Sequence, residues 1–335
     1  MKNYFESPDK FAGIYTLPLR WVVGWTYFSA FWRRLILENK LNPEEAGYIG
    51  EKFNHFLPNA LGIKPIIEYL VSNPDALQIS MMAFTIIEAI VGLFIILGLF
   101  TRAMSIGVML LATGILLGSG WLGTTCLDEW QIGILGIAGG FTMFLTGSGK
   151  YSIDKYLIDK KLAFTNAKWF KFLGSGILPV KNIHLISVTV SIFIISLTLY
   201  TNQFFHGGVW GKLHNKSVKP KVEISNIIHS DSKLSVRLFR TEGADVYGSF
   251  LIAIQILDEN DNIVQTIDQT ALANFPTRNI RNHYVSKIKP GKHSLILPLG
   301  AKADISINLE KLKINSGYSV KLIDISGAEW IKKIE

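Results

Sequence analysis

The feature that most constrains this chain is a series of long apolar runs, nearly free of charge, crowded into its first 200 residues. A helix rising 1.5 Å per residue needs about 17 to 25 mostly apolar residues to cross roughly 30 Å of hydrocarbon. Five stretches meet that requirement: Phe11 to Trp32, Gln78 to Phe100, Ala103 to Ser119, Trp130 to Thr146 and Ile183 to Tyr200. Pro18 and Arg20 interrupt the first, and Glu88 the second. One such run can be a buried core helix; five in succession predict a bundle in lipid. The first is also too long for a cleavable signal peptide and has no small-residue cleavage site before Arg33 and Arg34.

Basic residues orient the bundle, because an excess of Lys and Arg marks cytoplasmic loops. Between Gly147 and Lys181 stand seven lysines (Lys150, Lys155, Lys160, Lys161, Lys168, Lys171, Lys181) against Asp154 and Asp159. That loop is expected inside, with the N-terminus and the Thr101–Arg102 link, while residues 33–77, 120–129 and the C-terminal region are expected outside. Arg33 and Arg34 run against the trend. They read either as interfacial anchors or as a pair where an anion arrives.

After about Lys219 the period changes to two, as in Val222 to Ser225, Leu234 to Phe239, Phe250 to Leu257 and Ser319 to Ile325. Turn residues punctuate these runs, among them Asn260, Asp261, Ser316, Gly317, Ser326 and Gly327. The expected fold is therefore a membrane α-helical bundle, four helices plus a fifth span, followed by an extracytoplasmic all-β sandwich of six to eight strands with immunoglobulin-like topology. The expected boundaries are a bundle over 1–150, a basic cytoplasmic linker over 151–182, the fifth span over 183–201 and the β domain over 202–335.

Composition narrows the chemistry. Cys126 is the single cysteine, which excludes an intrachain disulfide and a paired-cysteine zinc site. The seven histidines have no ligand spacing, and no GxGxxG run suggests a dinucleotide. Gly147-Ser-Gly-Lys150 lacks the full spacing of a phosphate loop. The net charge of +8 suits lipid head groups or small anions as well as nucleic acid, and no nucleic-acid motif accompanies it. No metal site and no tightly bound cofactor is expected.

Ionisable residues inside a span are functional hypotheses by default. Arg20, nine residues from the inner end of the first span, and Glu88, ten from the outer end of the second, are expected at matching depths of about 14 and 15 Å, and so as an intramembrane pair. That pair either fixes helix register or handles protons. The second constellation is Trp121-Leu-Gly-Thr-Thr-Cys-Leu-Asp-Glu-Trp130. Trp121 and Trp130 suit a quinone pocket or an aromatic interface belt; Asp128 and Glu129 suit proton acceptance, or Asp128 a helix cap; Cys126 is a candidate nucleophile or a small packed thiol.

The motifs carry a resemblance. Glu88, Gly92, Leu97, Gly98, Leu99, Thr101 and Arg102, with Arg20, resemble the DoxX/DoxD membrane superfamily of compact four-helix bundles. The 121–130 loop and Gly147-Ser-Gly-Lys-Tyr-Ser-Ile-Asp154 narrow this to the DoxD branch, and the chain from about Lys168 resembles DoxA. The resemblance implies a DoxD–DoxA fusion acting as a thiosulfate:quinone oxidoreductase, with quinone as electron acceptor and tetrathionate as product. The resemblance transfers no catalytic residues; the site expected from the residues themselves uses Cys126, Asp128 and Glu129 as catalytic residues, Arg33 and Arg34 for thiosulfate, and Trp121 and Trp130 for quinone. The competing expectation is a non-catalytic scaffold or accessory subunit of a terminal oxidase. Self-association is left open.

Overall fold

The computed structural model describes residues 11–45, 47–123, 128–176, 178–214, 216–230, 232–244, 248–309, 314 and 317–334. Two compact units are assembled from interleaved stretches. The first takes Met1–Ala46, Ile79–Gly120 and Asp128–Lys212, the second Gly47–Gln78, Trp121–Leu127 and Leu213–Glu335.

The helices, in chain order, are α1 Ala12–Tyr15, α2 Leu17–Phe31, α3 Gly50–Phe56, α4 Lys64–Ser72, α5 Pro74–Leu97, α6 Thr101–Ser119, α7 Asp128–Thr146, α8 Ile153–Asp159, α9 Lys168–Leu173, α10 Ile183–Phe205 and α11 Gln269–Ala273. Among the described residues, α5, α6 and α10 are long and apolar enough to cross a membrane. The first expected span is not one continuous α-helix. It breaks at Thr16, between α1 and α2, and α2 runs on as a π-helical turn over Trp32–Leu37. Leu185, Ile192, Phe193 and Ile195 on α10 are exposed, as suits a helix whose solvent is lipid.

Packing in the first unit depends on small residues where backbones meet. Gly24 of α2 and Gly92 of α5 lie at a crossing so close that a Cβ on Gly92 would stand 2.4 Å from the Phe28 nitrogen. Glycine is the residue that permits such an approach between membrane helices. Beside this crossing Tyr27, Val91, Ile95, Val108, Leu111 and Met143 form a buried core.

At the end of the bundle where α6 begins, Asp154 is wholly buried. Its carboxylate accepts hydrogen bonds from the nitrogens of Phe100 (2.8 Å) and Thr101 (3.1 Å), the Thr101 hydroxyl (3.1 Å) and the Ser175 hydroxyl (2.8 Å). A carboxylate on the free N–H groups of a helix N-terminus satisfies donors that have no partner within the helix. Arg102 ties the same end together, donating to the carbonyls of Phe144 (2.9 Å), Lys171 (2.7 Å) and Gly176 (2.6 Å).

In the second unit β1 Lys221–Ser230, β2 Lys233–Glu242, β3 Ser249–Leu257, β4 Ile263–Ile267, β5 Ile280–Asn282, β6 Lys289–Pro290, β7 Leu295–Leu297, β8 Lys302–Asn308, β9 Ser319–Asp324 and β10 Glu329–Lys333 form two antiparallel sheets. Their orders are β1-β2-β8-β5 and β10-β9-β3-β7-β6, with β4 on β3. Alternate residues point into one shared core: Leu234, Val236 and Leu238 from one sheet, Leu251, Leu295 and Leu322 from the other. Ten strands are described where six to eight were expected. The shortfall lies in β5, β6 and β7, each of three residues or fewer, too short to display a period.

The stretch expected as a plain external loop holds α3 and α4. Leu57, Ile67 and Val71 pack there with Tyr284, Phe239 and Val285 of the β region. Ile63, Ile67 and Val71 recur every fourth residue, a helical stripe too short to stand out beside the long apolar runs.

Candidate functional site

Inside the first unit the charged centre is Glu88 with Arg34. The Arg34 Nη1 donates to Glu88 Oε2 at 2.6 Å and to the Thr85 hydroxyl at 3.2 Å. Their side chains are 18% and 5% exposed, so water screens the pair weakly. Local structure explains the arrangement: α2 runs antiparallel to α5 from the Gly24–Gly92 crossing, and the π-helical turn turns Arg34 inward to the level of Thr85 and Glu88, one helical turn apart. Arg33, one residue earlier, is exposed, with its Nε on the Ser29 carbonyl at 3.2 Å. Tyr27, on α2 seven residues before Arg34, is 5% exposed, with its hydroxyl 3.5 Å from the Val108 carbonyl.

This corrects the expected Arg20–Glu88 pair. Arg20 donates instead to the carbonyls of Ser148 (2.6 Å) and Tyr151 (2.5 Å), and its Nη1 lies beside Gly98. Gly98 is ten residues beyond Glu88, about 15 Å along a helix. The depth reckoned from Phe11 misled because the helix breaks at Thr16. Arg20 therefore occupies the first turn of α2, near the bundle's end. Arg33 and Arg34 are likewise not a matched pair, since one faces outward and the other is committed to Glu88.

The 121–130 constellation divides between the units. Trp121 belongs to the second, fully buried, with its indole N–H donating to the Phe56 carbonyl at 3.2 Å. Trp130 belongs to the first and donates to the Thr201 hydroxyl at 2.9 Å, fastening α7 to α10. Asp128 is exposed at the start of α7 and Glu129 is half-buried in the same turn. Cys126 lies outside the described residues. Sequence reasoning missed Thr85 and Tyr27. Thr85 stands three residues before Glu88 and so shares its helical face, a spacing that could have revealed it.

On the second unit a charged row crosses the outer face of one sheet. Arg237 grips Asp304 through two bonds of 2.7 and 3.0 Å, and His283 Nε2 reaches the same carboxylate at 2.9 Å. The Arg237 hydrogen bonds hold the Asp304 carboxyl below the usual range. Nearby, the Tyr284 hydroxyl donates to Glu68 of α4 at 2.5 Å. Burial, seconded by that bond, pushes the phenol up. Among the described residues no group of three or more His, Cys, Asp or Glu side chains is set to hold a metal ion.

Comparison with known proteins follows the same division of the sequence. The family described as TQO small subunit DoxD matches residues 15–186, and the family described as TQO small subunit DoxA matches residues 205–333. No solved structure matches the chain. With a helical membrane part under the first match and antiparallel sheets under the second, the chain belongs to the DoxD family and carries a DoxA region fused behind it, both being small-subunit families of thiosulfate:quinone oxidoreductase.

Proposed function

We propose that this chain is a membrane thiosulfate:quinone oxidoreductase. Two thiosulfate dianions lose one electron each and join through a new S–S bond as tetrathionate. One quinone takes the two electrons with two protons and becomes quinol. The observation that carries this reading is the presence of both small-subunit families, in order, on a single polypeptide.

The buried Arg34–Glu88–Thr85 cluster supports the quinone half of the reaction. A quinone is apolar except at its two carbonyls, and its reduction needs a proton donor where water is scarce. Glu88 is a titratable group that helices facing lipid hold in place, and the buried Tyr27 hydroxyl of α2 is a second donor in the same unit. Thiosulfate needs fixed cations or donors. Arg33, exposed at the end of α2, is available to it, whereas Arg34 is engaged by Glu88. Asp128 and Glu129, in the first turn of α7, and Cys126, two residues earlier in the sequence, remain the proposed sulfur-side residues. The lysines of residues 147–181 support a cytoplasmic N-terminus and an extracytoplasmic β region, where thiosulfate arrives. The test is thiosulfate-dependent reduction of a soluble quinone analogue by the purified chain. Turnover supports the enzyme, and its absence in folded protein leaves a scaffold or oxidase accessory.

A further inference from the structure

The DoxD match ends at residue 186 and the DoxA match begins at residue 205, yet the division of the fold does not simply follow these limits. Residues 47–78, inside the DoxD match, are built into the unit that holds the DoxA strands. Four groups of contacts make the join. Asn54 is wholly buried; its Nδ2 donates to the Gly300 carbonyl at 2.9 Å and its Oδ1 accepts from the Ser286 nitrogen at 3.1 Å. The Val285 nitrogen donates to the Val71 carbonyl at 3.1 Å. Asn59 donates to the Thr241 carbonyl at 2.9 Å. Leu57, Ile67 and Val71 are 1%, 4% and 1% exposed, covered with Tyr284, Phe239 and Val285.

We infer that the α3–α4 pair is a docking platform that holds the DoxA-type β region without needing the covalent link. Every polar group of the Asn54 amide that faces the β region is matched by a backbone partner there. Withdrawing the β region would leave that amide unpaired and the apolar stripe wet, costs that oppose separation. The partner this surface fits is an antiparallel β domain presenting a free carbonyl at Gly300, free N–H groups at Val285 and Ser286, and an aromatic wall of Phe239 and Tyr284. The inference goes beyond the oxidoreductase reading and does not depend on it.

The link available for cutting is the segment after α10, where Gly211 and Lys212 are exposed. A protease recognition sequence inserted between them in the full chain, cleaved in detergent, tests the proposal by size exclusion. The two fragments should co-elute at the position of the uncut protein, and ~1 M salt should not part them, because the contacts are buried and largely uncharged. Separate elution of the wild-type fragments overturns the proposal. Val71→Asp, which puts a charge into the apolar stripe, should weaken association of the cut fragments by ~100-fold or more; the milder Asn54→Ala should do so by at least ~10-fold. Undiminished co-elution of both cut variants also overturns it, since other contacts would then be holding the pieces.

Discussion

Arg34 Nη1 meets Glu88 Oε2 at 2.6 Å within the helical unit, joining the π-helical end of α2 to the middle of α5. Removing one partner of a buried pair leaves a charge without compensation and typically costs about 3–5 kcal/mol. Arg34→Gln and Glu88→Gln should each lower the thermal stability of the detergent-solubilised protein by an amount of that order. A double-mutant cycle should give a large coupling for Arg34 with Glu88 and none for Arg20 with Glu88. Arg33→Gln, at an exposed site, should leave stability unchanged.

The Gly24–Gly92 crossing should tolerate no side chain. A Cβ on Gly92 would stand 2.4 Å from the Phe28 nitrogen, whereas one on Gly114 would meet nothing within 4 Å. Gly92→Ala should therefore destabilise the bundle by about 1–3 kcal/mol, the usual range for overpacking. Gly114→Ala should be neutral or slightly stabilising through helix propensity. Melting of the two variants in detergent checks the contrast.

The Asp304 carboxyl titrates below its unfolded value, near 3.9, because Arg237 binds its charged form. For a depressed acid the stabilisation is fully present above the unfolded pKa and is lost as pH falls through the folded one. Asp304→Asn should thus weaken the β unit at neutral pH. Wild type and variant should converge only below about pH 4. Limited proteolysis of the full chain across that range checks the sign.

The proposed membrane orientation rests on the lysines between Gly147 and Lys181. A cysteine placed at Asp261 in intact cells should react with a membrane-impermeant reagent, and one at Lys160 should not. The reverse pattern would invert the assignment.

Much of this architecture was legible because lipid imposes a long, simple pattern, and because a half-buried strand such as β2 alternates residue by residue. The short link between the second and third apolar runs, expected at Thr101 and Arg102 and found just before them at Gly98, Leu99 and Phe100, and the period-two runs from Val222 onward were readable for those reasons. Depth was not. Counting from Phe11 paired Arg20 with Glu88, because neither the break at Thr16 nor the π-helical turn at Trp32–Leu37 has a clear signal in composition. Asp154 reads as one acid among lysines, yet it caps α6 from 53 residues away, a contact only the tertiary fold creates. The helical pair α3–α4 was hidden for a related reason. Its buried stripe makes sense only against Tyr284 and Phe239, more than 150 residues on.

The catalytic reading meets its most direct test in one stoichiometric assay. Purified full-length protein in detergent, given thiosulfate and a soluble quinone analogue under anaerobic conditions, should reduce one quinone for every two thiosulfates consumed and form one tetrathionate. Glu88→Gln should lower the maximal rate at saturating quinone. Arg33→Gln should raise the KM for thiosulfate without altering that rate, and Cys126→Ser should abolish turnover if sulfur is carried on the thiol. No quinone reduction by folded wild-type protein across a range of thiosulfate and quinone concentrations would contradict the enzymatic reading and leave the chain as a membrane scaffold.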